Sequence, residues 1–161
     1  MEALSERINS LPISATLAMA AKARELKSQG IDVIGLSLGE PDFNTPDFIK
    51  DAAIQAVNDN YNSYSPVDGY ADLKEAVCEK FKRDNNLDYK PSQVVVSTGA
   101  KQSIANVCMV LLNPGDEVLL PAPYWVSYSA IATLAEATPV IVPTGIEQNF
   151  KITPEQLEAA I

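Results

Sequence analysis

The stretch Gln93–Leu112 constrains the fold most, because a β-branched apolar run passes through a glycine turn directly into a helical pattern. Val94, Val95 and Val96 follow one another without polar alternation, as expected for a strand covered on both faces of a parallel sheet. Further on, apolar residues recur at helical spacing, at Ile104, Val107, Cys108 and Leu111. The stretch therefore predicts a strand, a tight turn and a helix.

The turn itself, Ser97-Thr98-Gly99-Ala100-Lys101, has the features of an anion site. Gly99 permits a turn closed to most residues, and the first N–H groups of a helix have no partner inside it. The helix dipole favours negative charge there, whereas it disfavours the positive charge of Lys101. A bound phosphate explains that lysine, but an ordinary strand-to-helix turn with an exposed lysine explains it equally well. Neither the dinucleotide fingerprint nor the P-loop pattern is matched.

The composition indicates a globular protein and excludes some classes of partner. The chain has 161 residues, of which 47% are hydrophobic and 20% charged, as in a globular domain with a real core. Its net charge of −9 argues against nucleic acid or an anionic membrane as a partner. We find neither a signal-peptide pattern nor an apolar stretch of the roughly 20 residues that span a bilayer, so we expect a cytoplasmic protein.

The chain contains no histidine, so a Ser-His-Asp triad cannot be assembled from it. It also lacks the cysteine cluster that a zinc site would need. Cys78 and Cys108 fall on helical patterns among apolar neighbours, and we expect two reduced core thiols.

The pattern along the chain indicates an α/β protein with parallel strands. The first fifteen residues are expected to form an arm. Helices are predicted at Thr16–Gln29, from Pro46 with Thr45 as N-cap, Ala71–Arg83, from Lys101 to Leu112, Pro123–Ala135, and after the capping box Thr153–Gln156. Strands are predicted at Ile31–Leu38, Val94–Val96, Val118–Leu120 and Val140–Val142.

The order from Gln93 onward is βαβαβ, which implies parallel pairing with right-handed crossovers. Ligands of such sheets bind beyond the carboxyl ends of the strands, here Thr98-Gly99 and Pro121–Trp125. The link Tyr61–Tyr70 is rich in aromatic and hydroxyl side chains, and its composition suits a loop that faces a partner or a ligand.

Four motifs, taken in order and spacing, resemble the N-terminal part of fold-type I pyridoxal-phosphate-dependent aminotransferases, and most of all the bacterial aspartate aminotransferases. They are Leu38–Phe43, Tyr64–Gly69, Gly99–Gln102 and Pro123–Trp125. The resemblance covers essentially the whole chain. It implies a mostly parallel sheet with helices on both faces, incomplete in this chain. Residues 1–45 would then form an arm, a helix and a small-domain segment, and residues 46–161 the first part of a large cofactor domain.

Carried over residue by residue, the resemblance assigns the backbone N–H groups of Gly99, Ala100 and Lys101 to the phosphate of pyridoxal phosphate. Trp125 is similar to the tryptophan that stacks on the cofactor ring beside the substrate, an arrangement that suits the wide apolar face of an indole. Without the resemblance, Trp125 is interpreted as a buried anchor at a helix start.

Gly39 is similar to the glycine whose backbone meets the substrate α-carboxylate; otherwise it is an ordinary turn glycine before Pro41. Tyr64 resembles the tyrosine that reaches across a dimer interface to the neighbouring subunit's phosphate; otherwise it packs on its own subunit. Glu40 and Asp42 are interpreted as a solvated turn rather than an acid–base pair.

The activity that the resemblance implies is transfer of an amino group between an amino acid, foremost aspartate, and a 2-oxo acid, in a homodimer. None of the nine lysines lies in the setting of the lysine that carries the cofactor, so the resemblance places no catalytic residue in this chain. That lysine is expected beyond Ile161, and the 161 residues alone are expected to be inactive.

Three alternatives remain open from the sequence. The same motifs suit aromatic, alanine or prephenate-type aminotransferases and a related lyase. A non-catalytic phosphate- or nucleotide-binding α/β module is the alternative from another class of protein. The third is a fragment that folds only with a complementary chain, because its last predicted strand exposes an edge.

Overall fold

The computed structural model describes residues 4–161, in which helices predominate over strands. The helices are α1 (Glu6–Asn9), α2 (Ala15–Ser28), α3 (Asp47–Asn58), α4 (Ala71–Asn85), α5 (Ala100–Leu111), α6 (Ser127–Leu134) and α7 (Pro154–Ala160). The strands are β1 (Glu117–Ala122) and β2 (Thr138–Pro143), and 3₁₀ turns cover Pro91–Gln93 and Ile146–Gln148.

The sheet consists of β1 and β2, which pair in parallel with α6 between them in the chain. Leu120 lies opposite Ile141 in this register. The register begins where the Thr138 N–H donates to the Asp116 carbonyl at 2.9 Å. The parallel pairing predicted from the sequence is confirmed for these two strands, and the α/β class with an incomplete sheet is confirmed with it.

The buried apolar residues lie in β1, α6, β2 and the turn before β2. They are Leu120, Ile131, Ala132, Ala135, Ala137 and Val142. The accessible surface is 13062 Å², whereas a compact monomer of this mass exposes about 7,800 Å². The segment β1–α6–β2 therefore carries the core, and much apolar surface elsewhere faces solvent.

Two predicted strands are wrong. Ile31–Leu38 has no strand, and Leu36 is 91% exposed. Val94 has extended dihedral angles, φ −115° and ψ 130°, but Val94–Val96 pairs with no strand among residues 4–161. Because Val95 is 67% exposed, the expectation of a strand covered on both faces is also wrong. A β-strand is defined by its hydrogen bonds to a partner strand. Apolar β-branched residues favour extended backbone, but they do not determine whether a partner strand lies beside it.

The helix predictions hold with shifts at their ends. The capping box that opens α7 is confirmed, because the Gln156 N–H donates to Thr153 Oγ1 at 3.2 Å and the Thr153 N–H donates to Gln156 Oε1 at 3.0 Å. Thr45 is not an N-cap, since Pro46 takes that position. The arm contains the short helix α1, which Ser5 caps.

Helix α6 begins at Ser127 rather than at Pro123. Pro123 has no N–H to give and biases the residue before it towards extended backbone. Cys78 and Cys108 are free thiols, as predicted, but both are half-buried rather than core residues.

The chain divides into two compact units, one comprising the chain up to Ser37 with Thr98–Ile161, the other Leu38–Ser97. The division at residue 45, which concerns the domains of a complete protein, stays a prediction. Among residues 4–161, no helix combines the length and apolar character that crossing a membrane requires.

Candidate functional site

The turn that opens α5 is held by the backbone conformation of Gly99. Its φ of 83° and ψ of 162° lie in a region that is open to glycine and closed to almost every other residue. A Cβ built on Gly99 would meet no atom within 4 Å, so the space in front of the turn is open.

Three consecutive N–H groups at this turn, those of Gly99, Ala100 and Lys101, donate to no acceptor within residues 4–161. The next two amides, of Gln102 and Ser103, both donate to the Gly99 carbonyl, at 3.1 and 3.3 Å. The three unpaired groups stand at the positive end of the helix dipole and form an anion cradle. The term cradle is used below for these three amides.

Gln102 bounds the cradle on its N-terminal side, because its side-chain Oε1 accepts the N–H of Thr98. Thr98 is thereby removed from the set of available donors. The cradle is therefore limited to the three amides that follow Thr98.

Trp125 stands next to the side chain of Lys101. The Lys101 Nζ atom lies 4.5 Å from the centroid of the Trp125 ring, within the range of a cation–π contact. The Trp125 and Tyr128 rings form an edge-to-face pair, with ring centroids 5.6 Å apart and an interplanar angle of 87°. Trp125 is 44% exposed, so it is not the buried anchor of the alternative interpretation.

Hydrogen bonds at the end of β1 and at the start of α6 fix the position of the Trp125 backbone. The Ala122 carbonyl accepts two hydrogen bonds from Thr144, from its N–H at 3.0 Å and its hydroxyl at 2.6 Å. On the far side of Trp125, its carbonyl accepts the N–H of Tyr128 at 3.0 Å as α6 begins. The indole thus lies on a short link between a paired strand and a helix, beyond the carboxyl end of the strand, where α/β proteins bind ligands.

Gly39 and Tyr64 lie in the other unit, Leu38–Ser97. Gly39 is in an irregular segment, and a Cβ there would meet nothing within 4 Å. Tyr64 is fully exposed in the link between α3 and α4 and does not pack on its own chain. The cradle and Trp125 belong together in the first unit.

The link that carries Tyr64 is anchored at its C-terminal end. Lys74, whose side chain is only 12% exposed, forms an ion pair with Asp68, and the Asp68 carbonyl accepts the Val96 N–H at 3.0 Å. The hydrogen bond from Lys74 holds the pKa of the Asp68 carboxyl below its usual value. Gly69 has φ 104°, and a Cβ added to it would come within 2.5 Å of Val96 Cγ2.

Sequence reasoning missed two residues of the site. Tyr128 follows Trp125 by three positions, a spacing that brings ring edges together at a helix start, and this signal was available. Gln102 is the last residue of the motif Gly99–Gln102, but the sequence does not show that its side chain accepts the Thr98 N–H, because that contact depends on the backbone path of the turn.

The chemistry of the site fits a phosphorylated aromatic cofactor. Three unpaired amides and a lysine ammonium suit a phosphate dianion, and an exposed indole suits a flat ring beside it. The fold and this site define an α/β protein with a candidate anion site at the start of a helix.

The family model described as aminotransferase class I and II matches residues 31–161, and the chain belongs to this family. It is 52% identical to an aspartate/prephenate aminotransferase of Nitrosomonas europaea, over 98% of this chain and 40% of that protein. The chain thus spans about 40% of the length of the curated relative it matches.

Solved structures agree with this assignment. The aspartate aminotransferase of Rhizobium meliloti superposes with a TM-score of 0.93 at 44% identity, covering 98% of this chain and 40% of that one. The aspartate aminotransferase of Thermus thermophilus, solved with maleate, gives 0.94 at 42% identity, covering 100% of this chain and 42% of that one. The fold of the chain is that of the corresponding part of these enzymes.

Proposed function

We propose that the complete protein is a pyridoxal-phosphate-dependent aminotransferase. It moves an amino group between an amino acid, foremost aspartate, and a 2-oxo acid. The observation that carries this proposal is the cradle at Gly99–Lys101 beside the exposed indole of Trp125, in a chain of the aminotransferase family.

The cofactor phosphate is held by the amides of Gly99, Ala100 and Lys101. Backbone donors suit this task, because they are fixed before the ligand arrives and need no side-chain ordering. The Trp125 ring lies against the flat face of the cofactor and fixes its orientation. When bound, pyridoxal phosphate supplies an electron sink for the carbanion that forms at the amino acid's α-carbon.

Gly39 and Tyr64 have the roles that the family resemblance assigns to them. The Gly39 backbone meets the α-carboxylate of the substrate, and the absence of a side chain allows that close approach. Tyr64 donates its hydroxyl to the cofactor phosphate of a second subunit in a homodimer. Its complete exposure supports an outward role.

The lysine that carries the cofactor and shuttles the proton is placed outside residues 1–161. Of the described lysines, Lys22, Lys50, Lys74, Lys80 and Lys82 are paired with carboxylates. Lys101 instead lies on an indole at the cradle. None of the nine lysines matches the setting of the cofactor-carrying lysine in the family that the chain resembles, so these residues are assigned binding and orientation only.

Reduction with borohydride tests the proposal. The protein expressed from its full reading frame is incubated with pyridoxal phosphate, reduced and digested, and the peptides are mapped by mass spectrometry. We expect a yellow protein whose cofactor is fixed to one lysine outside residues 1–161. A protein that binds inorganic phosphate but stays colourless under saturating cofactor would contradict the enzyme and favour a non-catalytic phosphate-binding module.

A panel of amino donors then selects the substrate. We expect the highest kcat/KM with aspartate, in line with the names of the relatives. Aromatic amino acids, alanine and the amino acid formed from prephenate are the competing donors. A preference for any of these would replace aspartate while leaving the aminotransferase assignment intact.

A further inference from the structure

We propose that Lys101 is the positioning residue for Trp125. Its ammonium, placed on the indole, fixes the orientation in which the ring lies beside the cradle. This inference rests on the proposed function, which it deepens by linking the phosphate subsite to the ring subsite through one residue.

The geometry is that of an effective cation–π pair. The 4.5 Å from Nζ to the ring centroid lies inside the limit of about 6 Å for such pairs, and tryptophan is the strongest aromatic acceptor. Trp125 is 44% exposed, and its aromatic neighbour is Tyr128, which it meets in an edge-to-face arrangement. A half-exposed indole needs a second contact to hold one orientation, and Lys101 supplies it.

No carboxylate competes for the lysine. Within residues 4–161, the ion pairs of the chain do not include Lys101, so the indole is the partner that its ammonium has. The stem of the side chain begins at the first turn of α5, where its own N–H belongs to the cradle. One residue therefore contributes a phosphate donor through its backbone and orients the cofactor-facing ring through its side chain.

This arrangement predicts coupling between Lys101 and Trp125 in cofactor binding. Loss of the ammonium removes the positive charge of a residue whose own N–H belongs to the cradle, which weakens any phosphate ligand. It also frees the indole, which weakens only a ligand that carries a ring. The ring-dependent part must disappear when the indole is absent.

The first experiment uses the free protein, expressed from its full reading frame. Any tryptophan outside residues 1–161 is first replaced by phenylalanine, so that emission reports on Trp125, the single tryptophan of this sequence. We expect Lys101→Met to change the emission intensity and to raise quenching by acrylamide, because the ring loses its cover. Lys101→Arg retains the cation and should resemble the unmodified protein. Lys151→Met, the same substitution at another exposed lysine, is the matched control and should have no effect.

The second experiment is a double-mutant cycle with Lys101→Met, Trp125→Leu and both together. Affinities are measured by calorimetry for pyridoxal phosphate and for inorganic phosphate. We expect Lys101→Met to weaken pyridoxal phosphate about fivefold more than inorganic phosphate, the size of one exposed cation–π contact. In the Trp125→Leu background this excess should vanish, and Lys101→Arg should restore most of it.

The outcomes separate this inference from the proposed function. Strictly additive effects of the two substitutions, or unchanged emission in Lys101→Met, would overturn the positioning role while leaving a cofactor enzyme intact. An unmodified protein that binds inorganic phosphate but no pyridoxal phosphate would overturn the proposed function. The cofactor role of Lys101 would fall with it.

Discussion

Two short β-branched runs, Val140–Val142 in β2 and Val94–Val96, have different environments in this chain. In β1–α6–β2, the strands pair in parallel, and Val142 is 6% exposed. In Val94–Val96, three valines in succession form no ladder, and Val95 is 67% exposed. The comparison teaches that β-branched residues favour extended backbone wherever they occur, whereas burial depends on a neighbouring strand that the local sequence does not contain.

The two parts of the candidate site differ in what holds them in place. The cradle arises from one glycine conformation and the unsatisfied amides of a helix start, and neither requires a paired strand before the turn. The link that carries Trp125, in contrast, follows a paired strand whose last carbonyl is fixed by Thr144.

Gly69→Ala should have the largest effect, because it disturbs the backbone next to Val96 in the exposed valine segment. A Cβ at Gly69 would come within 2.5 Å of Val96 Cγ2, and φ is 104°. We expect a loss of about 3 kcal/mol in the free energy of unfolding, from backbone strain and the clash together. Urea unfolding followed by circular dichroism measures it.

The control for this substitution is Gly39→Ala, where nothing lies within 4 Å and φ is ordinary. It should change stability by less than about 0.5 kcal/mol. Equal effects at both glycines would mean that the Gly69 contact with Val96 does not exist in solution.

Val142→Ala and Val95→Ala form a matched pair that tests the comparison itself. Removing two methyl groups from the buried Val142 should cost about 2 kcal/mol of unfolding free energy, by lost burial and a residual cavity. The same change at Val95 in the 161-residue chain should cost less than about 0.5 kcal/mol. A cost at Val95 as large as that at Val142 would show that the valine segment is covered in solution.

Gly99→Ala tests the effect of backbone strain at the cradle without any steric clash of the added methyl group. The space around Gly99 is open, so only the left-handed backbone conformation is penalised. We expect a loss of about 1.5 kcal/mol in unfolding free energy, or a shifted turn at a similar cost. Either result should weaken phosphate binding in calorimetry, and unchanged binding would argue against the cradle.

The smallest expected effect is on the pH dependence of stability, through the ion pair between Lys74 and Asp68 that anchors the Tyr64 link. Because Lys74 lowers the pKa of Asp68 in the folded protein, the pair stabilises the fold above the unfolded pKa of aspartate and loses this effect as the pH falls through the folded value. Asp68→Asn should therefore reduce the acid dependence of unfolding. The effect should be slight, since Asp68 is half exposed and screened by solvent. A larger difference at neutral pH in high salt than in low salt would contradict this origin.

Local chemistry made much of the fold predictable. The capping box Thr153–Gln156 and the turn at Gly99 follow from residue type and spacing. The parallel pairing of Val118–Leu120 with Val140–Val142 follows from the strand–helix–strand order, which brings the partner strand with it. The lack of a partner for Val94–Val96 was not predictable, because strand pairing is decided by residues far away in sequence.

The site likewise combines features set by the local sequence with contacts between residues that are remote in sequence. The unpaired amides of Gly99–Lys101 follow from the helix start, and the sequence predicted them. The contact between Lys101 and Trp125 joins two elements that are remote in sequence, so no spacing rule could reveal it. The role of Gln102 at Thr98 required the path of the backbone.

The central claim is that the amides of Gly99, Ala100 and Lys101 hold a phosphate. The most direct test follows the backbone amide resonances of these residues, selectively labelled in the protein from its full reading frame, as pyridoxal phosphate is added. We expect all three to shift downfield together and to saturate with the cofactor, with smaller shifts under inorganic phosphate. Saturated cofactor binding that leaves these three resonances unmoved would contradict the account.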